Sequence, residues 1–235
     1  MKVFVIPDIH LKPWIFDRAE EVSKGRGVDR FVCLMDIPDD FGKEFDLSLY
    51  ESTFDRAIAF QKDHPDMLWA YGNHDICYLW NQRETGFSML ASPLVCRKLG
   101  KLRNTLPDDS QLSFIHRIDH VLFLHGGLTA AFAKKVAGED AEDVDKLIDK
   151  INQASPSLLW KEDSVLWCRP QWEYGELYQS DTFVQVVGHT PVKTIYREGP
   201  VISCDVFSTH RDGTPIGTQD FLLLDTETQE FETLK

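Results

Sequence analysis

Short apolar runs recur along this 235-residue chain, and five of them stop at a polar cluster. Residues 2–7 run into Asp8-Ile9-His10, 30–35 into Asp36, and 67–71 into Gly72-Asn73-His74-Asp75. Residues 121–124 run into His125-Gly126-Gly127, and 183–187 into Gly188-His189-Thr190. The first three runs are continuous and rich in β-branched or aromatic residues, as strands covered on both faces are. Between them the apolar positions take helical spacing: Ile15, Phe16, Ala19 and Val22 within 15–24, then Phe54, Ala57, Ile58 and Phe60 within 49–63. That β-α-β-α-β order predicts a parallel sheet with right-handed crossovers.

Further along, residues 83–106 read as a helical cap region. Residues 112–118 and 121–124, turning at Asp119-His120, predict an antiparallel hairpin, and 140–153 a helix. Strands are expected at 183–187, 201–205 and 221–225, with Gly213, Pro215 and Gly217 punctuating the loop between the last two. A strand-dense second half added to a βαβ first half predicts an α/β fold with a sheet-on-sheet core flanked by helices. No internal repeat, low-complexity tract or linker interrupts the chain, so one domain over 1–235 is expected.

Charge narrows the function classes. Lys and Arg number 25 against 38 Asp and Glu, and 25 − 38 = −13 opposes broad binding to nucleic acid or anionic membranes. The acidic stretch 139–149 alternates acids with apolar residues at helical spacing, which suits a solvated helix face better than a calcium loop. No apolar run approaches the roughly 20 residues that cross a bilayer, and the start does not read as a signal peptide. Five scattered cysteines without a CxxC pair read as thiols in a reducing compartment. A cytoplasmic protein is expected.

In open α/β sheets, ligands bind just beyond the carboxyl ends of the strands. One Asp or His there is weak evidence, because such residues often cap strands or make turns. Five clusters in one chain are another matter. Carboxylate, amide and imidazole delivered together to that edge suit divalent metals of borderline hardness, so the residues predict a two-metal hydrolytic site.

Asp8-x-His10, Asp36-x-x-Asp39, Gly72-Asn73-His74-Asp75, His125-Gly126-Gly127 and Gly188-His189-Thr190 resemble, in order, the motif series of calcineurin-like metallophosphoesterases. The HGG and GHT forms are similar to the phosphoprotein phosphatase branch, which includes serine/threonine phosphatases and bacterial diadenosine tetraphosphatases. The resemblance implies a β-sandwich of two mixed sheets flanked by helices. It implies one metal held by Asp8, His10 and a bridging Asp36, and a second held by Asp36, Asn73, His125 and His189. A metal-bridging hydroxide would attack phosphorus in line, with His74 as general acid and Asp39 holding its imidazolium form. Two divalent ions are implied, Mn²⁺ for activation in vitro, with Fe, Zn or Ni compatible with the same donors.

Three departures from the pattern sharpen the expectation. Pro7 and Met35 stand before the two aspartates where many members carry Gly. Asp39-Asp40-Phe41-Gly42 replaces Asp-Arg-Gly, so the phosphate-clamping arginine is missing; Arg169, in Leu166-Trp167-Cys168-Arg169-Pro170, is the replacement candidate, since a guanidinium fork suits phosphate. Pro191 takes the place of the second histidine of GHxH, which argues against the nuclease and cyclic-phosphodiesterase branches. The aromatics Trp14, Trp80, Trp160, Trp167, Trp172 and Tyr174 are expected to pack rather than stack a base. Lys12 is expected to be solvated, and His64, His116, His120 and His210 to be surface or loop residues. The expected substrate is a phosphomonoester, either phosphoprotein or a small phosphorylated metabolite. Two alternatives stand beside it: a dinucleoside polyphosphate hydrolase, and a non-catalytic scaffold that kept the fold. The complete ligand set favours an enzyme. The sequence sets no oligomeric state.

Overall fold

The computed structural model describes residues 1–172 and 175–235. Its first half runs β1 (Lys2–Ile6), α1 (Trp14–Ser23), β2 (Arg30–Cys33), α2 (Leu47–Asp63), β3 (Leu68–Ala70), α3 (Asn73–Leu79), α4 (Ser92–Arg103) and β4 (Leu112–Ser113). The second half runs β5 (Ile115–Ile118), β6 (Val121–Leu124), α5 (Ala130–Ala137), α6 (Val144–Asn152), α7 (Pro156–Leu159), β7 (Val184–Val187), β8 (Tyr196–Glu198), β9 (Val201–Ser203), β10 (Phe221–Asp225) and β11 (Phe231–Leu234).

These strands form two mixed sheets flanked by helices, ordered β11-β10-β1-β2-β3-β4 and β5-β6-β7-β9-β8. β1, β2, β3 and β4 are parallel, as the βαβ pattern predicts. β10 closes the other side of β1 in antiparallel register, with Val3 opposite Leu224. In the second sheet β6, β7 and β9 are parallel. Of these seven strands, β1, β2 and β3 of the first sheet and β6, β7 and β9 of the second lead into segments that open with Asp, Asn or His within a few residues.

The elements form where the apolar pattern put them, with local differences. The stretch 112–118 is broken at Phe114: Leu112–Ser113 joins the first sheet and Ile115–Ile118 the second. A continuous hairpin arm would leave one sheet edge bare, and the break lets one segment serve both sheets. The helix expected over 140–153 is a 3-10 turn at Gly138–Glu142 followed by α6, whose N-cap Asp143 accepts from the backbone N–H of Lys146 at 3.2 Å. His116 is not a surface residue; it is buried in β5, its Nε2 2.9 Å from the carbonyl of Trp69 in the facing sheet. His64 is half-buried between the rings of Phe31 and Phe60, while His120 and His210 are exposed. Among the described residues, no helix is long and apolar enough to cross a membrane.

Candidate metal centre and active site

Non-glycine residues in the left-handed region of backbone space concentrate at the strand ends. His10 (φ 43°), Leu11 (56°), Met35 (55°), Asp36 (43°), Asp39 (68°) and His189 (61°) all lie there. Each such residue carries strain of about 1 kcal/mol or more, sustained only where surrounding bonds over-determine it. Those bonds are present. The backbone N–H groups of Ile9, His10 and Leu11 donate to the carbonyls of Met35, Asp36 and Ile37 at 3.0, 2.8 and 3.0 Å, extending the β1–β2 pairing past the strands. Met35 thus holds, with its side chain wholly buried, a conformation glycine would adopt freely.

Around this frame the donors converge. Asp8, His10 and Asp36 offer ligand atoms all within 4.8 Å of one another, as do Asp36, His125 and His189, and Asp36 belongs to both groups. His125 Nε2 lies 3.1 Å from Asp36 Oδ2, 3.0 Å from Asn73 Oδ1 and 3.2 Å from His189 Nδ1. One imidazole proton cannot satisfy three such neighbours, whereas a cation among them can. His125 Nδ1 faces the carbonyl of Leu34 at 3.0 Å and His10 Nδ1 that of Asp39 at 2.9 Å, which directs the Nε2 lone pairs into the site. Asp8 Oδ2 accepts from the backbone N–H of His189 at 2.9 Å, while its Oδ1 is buried without a hydrogen-bond partner. Two glycines admit this crowding: a Cβ on Gly72 would fall on the Asp36 carboxylate, and one on Gly188 on that of Asp8.

Electrostatics favour the same occupant. Asp8, Asp36, Asp39, Asp75 and Asp205 are each no more than 2% exposed. Burial, with the charges of Asp205 and Asp36, pushes the Asp8 carboxyl well above the usual range. Burial pulls the His10 imidazole down to about 4, and burial with the neighbouring His125 and Arg169 holds His189 well below its ordinary value, so both rings stand neutral, the form a cation would require. The residues present fit divalent cations.

His74 stands beside this group. Its backbone N–H donates to Asp36 Oδ1 at 2.9 Å, and its Nδ1 lies 3.1 Å from Asp39 Oδ2. Burial opposes its imidazolium, but the Asp36 charge and the Asp39 hydrogen bond outweigh burial and raise it to about 9. The side chain lines a cleft of about 490 Å³ together with His10, Asp36, Asn73, Arg169 and Arg211.

Arg169 reaches the cleft from the 165–168 turn. That turn is docked on the HGG loop, whose Gly126 and Gly127 N–H groups donate to the carbonyls of Val165 and Cys168 at 2.7 and 2.8 Å. Arg169 Nη1 donates to the carbonyl of His189 at 2.8 Å and to Thr190 Oγ1 at 3.1 Å, and its guanidinium lies 5.0 Å from the Trp172 ring centroid. Where the branch carries arginine, Asp40 is saturated: it accepts from Lys12 Nζ at 2.9 Å, Thr209 Oγ1 at 2.7 Å and the Phe41 N–H at 2.8 Å. Lys12 is therefore buried in an ion pair rather than solvated. Trp80, Trp160 and Trp167 pack edge-on in series, and Trp167 also lines the cleft. Tyr174 lies outside the described residues.

Two acids escaped the sequence reading. Asp75 accepts from the N–H groups of Asp36, Ile37 and Gly72 at 2.9, 3.1 and 3.0 Å, and so fixes the strained turn that aims Asp36. Asp205 lines the cleft past β9 and accepts from Ser208 Oγ at 2.9 Å. Its signal was available, because the run 201–205 ends on an aspartate as the other five runs end on their clusters.

The sequence profile described as calcineurin-like phosphoesterase matches residues 1–211. No curated protein sequence matches the chain. Among solved structures, a cold-active protein-tyrosine phosphatase of a psychrophile Shewanella sp. is similar with a TM-score of 0.55 at 17% identity, covering 100% of this chain and 80% of that one. A serine/threonine phosphatase from Saccharomyces cerevisiae gives 0.55 at 14% identity, with 100% and 80% covered. A hypothetical protein from Pyrococcus horikoshii gives 0.51 at 12%, with 100% and 87% covered. At these identities the likeness carries the fold.

Proposed function

Because this chain belongs to the calcineurin-like phosphoesterase family and is a metal-dependent hydrolase, we propose that it cleaves phosphomonoesters at a two-metal site. The observation that carries the proposal is the pair of donor clusters sharing Asp36. Asp8, His10 and Asp36 would hold one ion; Asp36, Asn73, His125 and His189 the other. Bound there, the two cations supply an acidified water and offset the charge of the phosphoryl oxygens. Mn²⁺ is the expected activator in vitro, and Fe, Zn or Ni suit the same donors.

The chain's own residues do the rest. With Nδ1 turned to Asp39, His74 holds its transferable proton on Nε2, facing the cleft, and gives it to the leaving oxygen. Arg169, held through His189 and Thr190, orients the phosphoryl group by charge-assisted bonds. A cleft of this size takes a phosphorylated side chain or a small phosphorylated metabolite. Trp172, 59% exposed beneath Arg169, favours one second reading: hydrolysis of a dinucleoside polyphosphate with a base on that ring. All five cysteines are free, which fits a reducing compartment such as the cytoplasm.

The test compares p-nitrophenyl phosphate, bis-p-nitrophenyl phosphate and diadenosine tetraphosphate on purified protein with Mn²⁺ and with chelator. Chelator-sensitive turnover of the monoester in clear excess is expected. Preference for the diester or the anhydride overturns the monoester assignment, and turnover that survives the chelator overturns the metal site.

A further inference from the structure

Asp39 is bonded on both oxygens, and the two sides differ. Its Oδ2 faces His74 Nδ1 at 3.1 Å. Its Oδ1 accepts two phenolic O–H groups, from Tyr50 on α2 at 2.6 Å and from Tyr78 on α3 at 2.5 Å. Both tyrosines are buried, at 0% and 3% exposure, so no water competes for these hydroxyls. Burial, followed by the charge of Asp39, pushes both phenols well above their ordinary range and keeps them donors at any working pH.

We propose that Tyr50 and Tyr78 are positioning residues for proton transfer, orienting the Asp39 carboxylate so that one oxygen always faces His74. The inference rests on His74 as the general acid. A carboxylate's terminal torsion is soft and roughly two-fold, so a single partner would not fix it. Two donors converging on one oxygen do, and they also stand in for the water that burial removes from an anion. Tyr78 has little freedom of its own. Its hydroxyl oxygen accepts the backbone N–H of Ser88 at 2.8 Å, which turns the phenolic proton toward Asp39. Ser88 is tied in turn to the 41–47 loop, its Oγ donating to the carbonyl of Glu44 at 2.5 Å. Aim of the acid thus depends on α2, α3 and the segment before α4 together. None of these tyrosine contacts touches a donor of either metal cluster.

The experiment uses Mn²⁺-loaded Tyr50→Phe, Tyr78→Phe and the double variant, with His74→Asn as reference. Turnover of phenyl phosphate, a poor leaving group, is compared with that of p-nitrophenyl phosphate, a good one. A residue that only supports the fold lowers both alike. A residue that aims the acid lowers phenyl phosphate selectively. The expected result is a fall of at least fivefold on phenyl phosphate in the double variant, with p-nitrophenyl phosphate within twofold and two metals retained per chain. Each single variant, which keeps both packing rings, should show the same selectivity at smaller size even if the double variant fails to fold. Equal losses on both substrates, or no loss, in variants whose His74→Asn reference is selective overturn the positioning role alone. A His74→Asn protein without selectivity overturns the acid assignment, and this inference with it.

Discussion

Loops of the six-stranded sheet bring Asp8, Asp36 and Asp39 to the site together with His10, Asn73 and His74, whereas loops of the five-stranded sheet bring His125 and His189, the guanidinium of Arg169 and Asp205. The two sides are also held differently. Asp36 and Asp8 are gripped by backbone N–H groups, those of His74 and His189. His125 is aimed by a backbone carbonyl, that of Leu34. Two of these grips cross between sheets: His189 of the second holds Asp8 of the first, and Leu34 of the first holds His125 of the second. The Asp8, His10 and Asp36 group comes from the first sheet alone, but the group of Asp36, His125 and His189 needs both, so the pair of clusters is complete only when the sheets are docked.

The sharpest way to break this division is to remove the charge both clusters share. Asp36→Asn keeps the shape and the acceptor oxygen for His74 but cannot bridge two cations as an anion. Metal content by mass spectrometry should fall from two ions per chain to one or fewer. Turnover should fall on the order of a thousandfold or more, beyond the 10–100-fold typical of outer partners of metal ligands. Two retained ions would show that the acidic side does not depend on Asp36. Next in size is His74→Asn, which leaves both clusters intact. General acids contribute roughly 10²–10⁴-fold, and the loss should be at least about tenfold on a poor leaving group with metal content unchanged. If turnover of phenyl phosphate does not fall that far, His74 is not the acid.

Arg169→Lys probes the other wall. The ammonium keeps the charge but loses the fork that spans His189, Thr190 and a phosphate oxygen. A charge-assisted hydrogen bond is worth about 1.5–3 kcal/mol, so KM should rise roughly 10-fold or more with a smaller change in kcat. An unchanged KM would assign phosphate binding elsewhere in the cleft, with Arg211 the next cation on its lining.

The candidate donors and the groups that hold them differ in how far the sequence disclosed them. Candidate donors at strand ends were legible because the periodicity marks the strand and the next polar residue lies at the sheet edge, which is where Asp8, Asp36, Asn73, His125 and His189 stand. What holds those donors was not legible. The left-handed turn at Met35–Asp36 carries no glycine to announce it, and Asp75 grips that turn through contacts 38 and 39 residues away in sequence. Tyr50 and Tyr78 sit on helix faces whose apolar spacing reads as core, and only their hydroxyls touch Asp39. Lys12 illustrates the opposite error. A lysine two residues past His10 looks solvated until its partner, Asp40, arrives from the β2 loop. Local pattern specifies elements; tertiary approach specifies who satisfies a buried charge.

The smallest expected effect, per pH unit, sets the two sides against each other without any substitution. In the metal-free protein, the acids Asp75 and Asp205 shift up while the histidines His10 and His116 shift down. Burial, then the Asp36 charge, raises Asp75 to about 7, and burial chiefly raises Asp205 to about 6, against 3.8 in the unfolded chain. Folded carboxyls that keep a proton the unfolded chain has lost make stability fall as pH rises. Burial lowers His10 and His116 to about 4 from 6.5, and those groups make stability rise over the same window. Between pH 4 and 6 the contributions oppose, and the slope should be shallow. Above 6.5 the lowered histidines have finished. His74, raised to about 9, then keeps a proton in the folded state that the unfolded chain loses near 6.5. Stability of the metal-free protein should therefore decline from pH 6.5 to 9, by about 1.4 kcal/mol per pH unit for each proton retained. Bound cations favour the ionised acids and offset the Asp36 charge that helps to raise His74, while its Asp39 hydrogen bond stays, so the Mn²⁺-loaded protein should show a shallower slope. Urea unfolding of both forms across this range is the measurement. A metal-free stability that rises above pH 6.5 would overturn the raised His74, and equal slopes with and without Mn²⁺ would mean that no cation sits beside Asp36.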